Sequence, residues 1–179
     1  MISSTLPAFA KLGPKLGRAA RELETLNAFL DETNRSETAA GEWGRKSAIA
    51  FGLQNIYNGI EDVLLGLAND IDDWVPTGDS SHQDLLDQML EPIKGKRPSV
   101  LDQRLYDLLG ELKNFRHMAR HRYGFDLDPV RLTENLARAR EAFPLFVEAV
   151  RALERVMTAP PTPADGSDEE PPVDNSFKV

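Results

Sequence analysis

The sequence contains no cysteine and only three histidines among its 179 residues. The lack of cysteine excludes disulfide bonds, thiolate metal ligands and a cysteine nucleophile, and nothing indicates an oxidising compartment. No segment approaches the roughly 18 apolar residues that a membrane-spanning helix needs. The first residues also lack the apolar run of a signal peptide. These absences predict a cytoplasmic protein whose chemistry, if it has any, uses other groups.

The usual metal-binding and phosphate-binding motifs are missing as well. The sequence has no HExxH motif, and without cysteine it has no Cys/His spacing for zinc. It has no glycine-rich phosphate loop, because Gly52, Gly59 and Gly66 recur at intervals of seven within a predicted helix. Such a stripe indicates close helix packing, either within one subunit or between two. We therefore expect no metal ion and no cofactor.

Apolar residues recur three and four positions apart along most of the chain, and period-two alternation is absent. This pattern predicts an all-α bundle of about five helices in a single domain, residues 1–157. Pro144 predicts a kink or a break in the last helix. The predicted helices are Ala8 to Leu30, with a weak start before Pro14; Arg45 to Asp70; Ser80 or Ser81 to about Leu90; a fourth capped by Ser99; and a fifth beginning at Asp128-Pro129.

Two polar segments lie outside these helices. Residues 34–44 are polar and contain two glycines, so we expect a connection there. Residues 158–179 are rich in proline and acidic residues and contain almost no large apolar side chain. Such a segment cannot bury enough surface to offset the entropy of ordering, so we predict a disordered acidic tail.

Charge is distributed unevenly along the chain. The net charge is -8, yet residues 94–155 carry 13 basic and 9 acidic side chains. Residues 1–93 and the segment after residue 155 are both acidic. A polyanion such as RNA would therefore bind the middle segment.

The stretch from residue 112 to residue 127, LKNFRHMARHRYGFDL, concentrates the groups that can act on a phosphodiester. Cleaving RNA without a metal needs a base for the 2′-hydroxyl proton, an acid for the leaving oxygen and a cation for the phosphorane. His121 suits proton transfer because an unperturbed imidazole titrates near about 6.5. Arg116 suits the phosphate because its planar fork is permanently charged. Arg120 and Arg122 could hold flanking phosphates, while His117 could orient His121 or substitute for it.

The spacing of Arg116 and His121 poses a geometric problem. Five positions along an ideal helix leave the two side chains about 140° apart rather than on one face. Either the helix unwinds before His121, which Gly124 would permit, or two copies of the motif meet across a dimer. Both arrangements remain open at the level of the sequence.

Arg116, His121 and Tyr123 resemble the Rx4HxY signature of the HEPN superfamily, and more narrowly a HepT-like ribonuclease toxin. The resemblance spans roughly residues 15–155. It implies a homodimeric helical bundle that acts as a metal-independent endoribonuclease in a toxin–antitoxin system. It also implies a partner antitoxin of the minimal nucleotidyltransferase (MNT) type, which in some pairs adenylylates the motif tyrosine, here Tyr123. Further segments carry the resemblance: Tyr57 to Glu61, Ser81 to Met89, Arg97-Pro98 and Phe115 to Leu127.

Each of these residues also has an ordinary structural interpretation. Arg116 can pair with a carboxylate such as Glu61, and His121 can cap the negative end of a helix. Tyr123 can be a core ring, and His82, in the first turn of its helix, can make a structural hydrogen bond.

Three functional alternatives follow from those interpretations. The chain could be a non-catalytic HEPN module that binds RNA or a nucleotide, or a helical adaptor for another protein. The possibility that it is itself the antitoxin is weakened, because it has no strand with the Gly-Ser pattern of a nucleotidyltransferase.

Overall fold

The computed structural model describes residues 6–33, 38–120 and 127–159, and these residues form the predicted all-α bundle. In the described part of the chain the only β-type pairing is a single bridge between Ile93 and Arg97. No helix among the described residues is long and apolar enough to cross a membrane. The five helices are α1 (Pro7–Thr33), α2 (Ala39–Leu67), α3 (Ser81–Leu90), α4 (Gln103–Arg120) and α5 (Pro129–Thr158).

α2 is the central helix of the bundle and packs against the other four. Its buried side chains extend from Ile49 to Leu67 and include Ile56 and Ile60, which have no exposed surface. α4 and α5 pack on each other and on α2, and the apolar face predicted for α5 is buried at Phe146 and Val150. Since α2 touches every other helix, a polar side chain on it can meet groups from several elements at once.

The glycine stripe of α2 packs within the subunit, against α1. A Cβ atom placed at Gly59 would lie 2.6 Å from the Cβ of Ala19, so the two backbones approach more closely than any larger residue would allow. The two other glycines repeat this relation, and the α1 residues they face are also seven positions apart. The three facing pairs are Gly52 with Leu26, Gly59 with Ala19, and Gly66 with Leu12.

The predicted start of α2 at Arg45 is wrong, because the helix begins six residues earlier, at Ala39. Thr38 is the N-cap, and its hydroxyl accepts a hydrogen bond of 3.1 Å from the Gly41 backbone N–H. Part of the expected connection is therefore helical. The cap satisfies the first turn even though that turn contributes little to the core.

Ser99 does not cap α4, contrary to the prediction. The helix begins at Gln103, and the Asp102 carboxylate accepts a hydrogen bond of 2.8 Å from the Leu105 backbone N–H. The preceding residues are held elsewhere, because the backbone N–H groups of Val100 and Leu101 both donate to the Met89 carbonyl. That attachment to the end of α3 prevents a helix from starting at Ser99.

Pro144 does not break α5, which is one α-helix from Pro129 to Thr158. Pro144 itself is exposed, while Phe143 and Phe146 beside it are buried. Packing of these two rings in the core keeps the helix continuous where the proline removes a backbone hydrogen bond. The predicted N-cap is confirmed, since Asp128 accepts a hydrogen bond of 2.9 Å from the Val130 backbone N–H. Thr158, predicted as the first tail residue, is the last residue of α5, and residues 160–179 lie outside the described residues.

α2 continues into one π-helical turn, Ala68–Asp72, and the chain then leaves through Asp73 in a left-handed conformation. The turn buries the Asp72 carboxylate against Arg97 in a two-point ion pair with distances of 2.7 and 2.8 Å. Arg97 also donates to the backbone carbonyls of Gln88, Glu91 and Pro98 at 2.9 to 3.0 Å. Every nitrogen of this guanidinium is therefore satisfied, and the loop after α3 is fixed to the end of α2.

Candidate functional site

Three charged or polar side chains from three helices meet at one end of α4. Glu61 lies on α2, His82 in the first turn of α3, and Arg116 in the last turns of α4. The His82 Nδ1 atom is 2.5 Å from the Glu61 Oε1 atom, and the Arg116 Nη2 atom is 3.5 Å from the Glu61 Oε2 atom. The Arg116 Nη1 atom is 3.5 Å from the His82 Nε2 atom. We call Glu61, His82 and Arg116 the polar cluster.

The base of the polar cluster is apolar and belongs to α2. Tyr57, one helical turn before Glu61, is buried, and the Arg116 guanidinium carbon lies 5.7 Å from the centre of its ring. This is the range of a cation–π contact. Burial, and then the Glu61 charge, raise the pKa of the Tyr57 hydroxyl well above its ordinary value, so the ring stays neutral. Tyr57 therefore supports the guanidinium without competing for a proton.

The polar cluster opens onto a cavity of ≈ 610 Å³ between the start of α3 and the end of α4. The His82 side chain is 46% exposed, whereas that of Glu61 is 9% exposed. The carboxylate therefore lies beneath the imidazole, and the imidazole faces solvent. The cavity is lined by Asp79, Ser80, His82, Gln83, Lys113, Asn114, Arg116 and His117.

Arg116 is held much less tightly than Arg97. Its contacts to Glu61 and His82 are both 3.5 Å, at the outer limit of hydrogen bonding, and its buried Nε atom has no hydrogen-bond partner. Arg97 makes five contacts of 2.7 to 3.0 Å. A guanidinium that lines a cavity and is not saturated by the protein can bind an incoming anion without losing strong bonds.

Another cavity, of ≈ 670 Å³, lies between α1 and α5 and is lined by Arg18, Arg21 and Arg151 among smaller residues. It contains no histidine and no carboxylate. Such a groove could attract an anion, but it offers no group suited to proton transfer. The cavity at the polar cluster is therefore the better candidate for chemistry.

The predicted site residues fall into two groups. Arg116 and His117 both line the cavity, and the Arg116–Glu61 pair expected from the structural interpretation is present. The predicted hydrogen bond of His82 is also present, to Glu61. Arg120 ends α4, but its side chain lies outside the described residues, as do His121, Arg122 and Tyr123 altogether. Whether Arg116 and His121 converge therefore stays a prediction.

Gln83, Lys113 and Asn114 also line the cavity, although none of them was predicted as a site residue. Lys113 donates a hydrogen bond to the Gln83 side chain across the gap between α4 and α3. A helical signal was available, since Lys113 precedes Arg116 by three positions and so lies on the same face of α4. Gln83 gives no such signal, because only the packing of α3 on α4 brings it there.

The described residues contain no group of three or more histidine, aspartate or glutamate side chains able to hold a metal ion. Comparison with known proteins finds no match among curated proteins and none among solved structures. A family model described as "HepT-like protein" matches residues 48–157, which cover α2 from its third turn onward, α3, α4 and nearly all of α5. The match spans more than half of the 179 residues and includes the whole polar cluster. The chain therefore belongs to the HepT-like family, a HEPN family of ribonuclease type.

Proposed function

We propose that this protein is a metal-independent endoribonuclease, the toxin of a HepT/MNT-type toxin–antitoxin system that acts in the cytoplasm. Arg116 stabilises the negative charge on the phosphate in the transition state, and His121 acts as general acid or base. The strongest support for this proposal is that the guanidinium of Arg116 is loosely held by the protein. It lines a cavity that is also lined by His82, Lys113 and His117. A permanently charged fork aimed at an open cavity fits a phosphodiester.

RNA is the substrate that this charge arrangement suits. The chain is acidic overall, yet Lys113, Arg116 and His117 line the cavity on one side of α4. In the proposal, His117, Arg120 and Arg122 hold the phosphates on either side of the scissile bond. Because those contacts are to the backbone, they position the RNA without reading its bases.

The site is proposed to form in a homodimer. On a regular α4, Arg116 and a residue five positions later lie about 140° apart, so one helix does not present both to the same phosphate. A second copy related by a twofold axis supplies the missing group, with Arg116 of one subunit facing His121 of the other. An MNT-type antitoxin would silence the enzyme by adenylylating Tyr123, which places a bulky anion next to the catalytic pair.

The test is an RNA cleavage assay in EDTA that compares wild type with Arg116→Ala and His121→Ala. The mass of the wild-type protein is checked beforehand for added AMP, and circular dichroism confirms that each variant is helical. We expect cleavage by wild type and a loss of about 10²–10³-fold or more in each variant, as for removal of a transition-state donor or a proton-transfer group.

The matched control is Arg104→Ala, which removes an exposed α4 arginine paired with Glu141 at 2.7 Å. This variant is expected to retain the wild-type rate. Cleavage that persists at the wild-type rate in Arg116→Ala, or that requires a divalent metal, would refute the proposal.

A non-catalytic module that binds RNA or a nucleotide is the second candidate. The cavity of ≈ 610 Å³ has the size of an ordinary small-ligand site, and the contact of Arg116 with Glu61 is compatible with binding alone. Tight RNA binding that depends on Arg116, with no product from wild type in any condition, would select this function. Partner binding that is insensitive to Arg116 and His121 would instead indicate a helical adaptor.

A further inference from the structure

We propose that His82 is a second catalytic residue of this site, the general base that takes the proton from the RNA 2′-hydroxyl, and that Glu61 is its positioning residue. The inference rests on the proposed function and adds a group from α3 to a reaction otherwise assigned to residues of α4 and the segment after it. Three observations carry it: the hydrogen-bonding state of the imidazole, its exposure and its neighbours.

The contacts of His82 favour one tautomer of its neutral ring. Its Nδ1 atom is 2.5 Å from a Glu61 carboxylate oxygen, and an ionised carboxylate only accepts, so Nδ1 is the donor. Its Nε2 atom faces the Arg116 Nη1 atom at 3.5 Å, and a guanidinium only donates, so Nε2 presents its lone pair. In its neutral form the imidazole therefore has its basic nitrogen toward the cavity. This is the form that a general base requires.

The difference in exposure between Glu61 and His82 distinguishes this pair from a histidine with only a structural role. Glu61 is buried, with 7% of its surface exposed, and lies on α2, the central helix. The His82 side chain is 46% exposed and lines the cavity. A carboxylate that is buried behind an exposed imidazole orients the ring and stabilises the imidazolium that forms when it accepts a proton.

Phosphate binding by Arg116 would make the Nε2 lone pair of His82 available. Its contact with His82 Nε2 is long, so moving the guanidinium toward a phosphate oxygen breaks no strong bond. Once the phosphate has drawn Arg116 away, the Nε2 lone pair is left directed at the cavity. The 2′-hydroxyl of the nucleotide bound there can then donate to it.

The step balances as a transesterification. His82 Nε2 takes the 2′-hydroxyl proton while the 2′-oxygen forms a bond to phosphorus. The P–O5′ bond breaks, and the departing oxygen takes a proton from the acid, His121 in the proposed function. The products are a 2′,3′-cyclic phosphate and a 5′-hydroxyl end. One histidine has gained a proton and the other has lost one, and exchange with water restores both.

His82→Asn is the most informative variant. The asparagine Nδ2 amide occupies the place of Nδ1 and can still donate to Glu61, whereas nothing replaces Nε2. We expect the single-turnover cleavage rate to fall about 10²–10⁴-fold, the usual contribution of a general base. The Kd for RNA and the melting temperature should stay close to wild type. A wild-type rate in His82→Asn would overturn the inference, because it would show that only the bond to Glu61 matters.

Chemical rescue gives a readout that a structural role would not produce. Adding imidazole to His82→Ala should restore cleavage in proportion to its unprotonated form, and it should do nothing for Arg116→Ala. Absence of rescue in a His82→Ala protein that is folded and binds RNA would count against the base role.

An activity-independent measurement separates failure of this inference from failure of the proposed function. Nitrogen-15 NMR of the His82 side chain in the full-length protein should show the Nδ1-protonated tautomer, and Glu61→Gln should weaken that preference. If His82 carries its proton on Nε2, the inference fails whether or not the protein cleaves RNA. If wild type and Arg116→Ala behave as the proposed function expects while His82→Asn remains active, the nuclease stands and only the role of His82 falls.

Discussion

Arg97 and Arg116 show how one residue type serves two purposes in the same molecule. Arg97 is fully buried and each of its nitrogens has a short contact, so it holds the loop after α3 to the end of α2. Arg116 is 13% exposed, faces a cavity and is held by contacts of 3.5 Å. The first arrangement gives rigidity, and the second leaves a cation available to a ligand.

We predict that replacing these arginines by methionine has very different effects on stability. Arg97→Met leaves the Asp72 carboxylate buried without its cation, which should lower the free energy of unfolding by about 3–5 kcal/mol. Arg116→Met removes only a 3.5 Å contact and leaves Glu61 with His82 as a partner, so the expected loss is smaller, about 0.5–1.5 kcal/mol. Urea denaturation of both variants beside wild type measures the difference. A larger loss for Arg116→Met would assign Arg116 a structural role.

The sequence predicted Arg116 and His117, which both line the cavity, and the Arg116–Glu61 pair, but it did not predict that His82 lies against both Glu61 and Arg116. His82 and Glu61 are 21 positions apart, and His82 and Arg116 are 34 positions apart, so no local pattern joins them. Their meeting depends on how α3 packs against α2 and α4. That packing is a tertiary property, whereas an Rx4H spacing can be read along one short stretch of sequence.

Among the helices, α1 and α2 pack closely against each other along the glycine stripe of α2. The interval of seven predicted the glycine stripe from the sequence. It did not predict which surface the stripe packs against, because the stripe could equally have faced another subunit. The structure shows that Leu12, Ala19 and Leu26 of α1 face it with the same interval. Two antiparallel helices with matching repeats therefore pack along their length.

We predict that Gly59→Ala lowers the free energy of unfolding by about 1–3 kcal/mol through overpacking, because the new Cβ would lie 2.6 Å from that of Ala19. Gly110→Ala on α4 is the matched control, since nothing lies within 4 Å of its added Cβ. That variant should instead gain about 0.5–1 kcal/mol from helix propensity. Thermal or urea unfolding distinguishes the two.

The double variant Ala19→Gly with Gly59→Ala checks the cause of the predicted loss. It moves the methyl group from one helix to the other, so it should recover part of the stability lost in Gly59→Ala. Equal losses in the single and double variants would show that contact with Ala19 is not the reason.

The helix boundaries show where sequence patterns are weakest. Ser99 and Asp102 are both good N-caps, and Asp102 is used because Val100 and Leu101 are tied to Met89. Pro144 satisfies the rule for a break, yet buried aromatic residues on its core side keep α5 continuous. In both cases tertiary contacts outweigh a local preference, and single-sequence reasoning does not include them.

For the whole molecule, the central question is whether the active site is shared between two subunits. A mixing experiment tests this part of the proposal. In a twofold dimer with shared sites, an Arg116→Ala subunit paired with a His121→Ala subunit has one site with both wild-type residues and one site with neither.

We therefore predict that mixing the two inactive variants in equal amounts, after dissociation and reassociation, restores about a quarter of the wild-type cleavage rate, because about half of the dimers are mixed and each has one working site. Each variant treated in the same way alone should stay inactive. No recovery in a mixture that demonstrably contains mixed dimers would place both residues of a site in one subunit.

The chemical identity of the RNA ends formed in EDTA is the sharpest test of metal-independent cleavage by this protein. The substrate is cleaved by wild type at a mapped position, and a second copy carries one 2′-deoxynucleotide immediately 5′ of that bond. For the proposed nuclease we expect a 2′,3′-cyclic phosphate and a 5′-hydroxyl from the first substrate, no cleavage at that bond in the second, and neither product from Arg116→Ala. Cleavage of the deoxy-substituted bond, or equal product from Arg116→Ala, would contradict it.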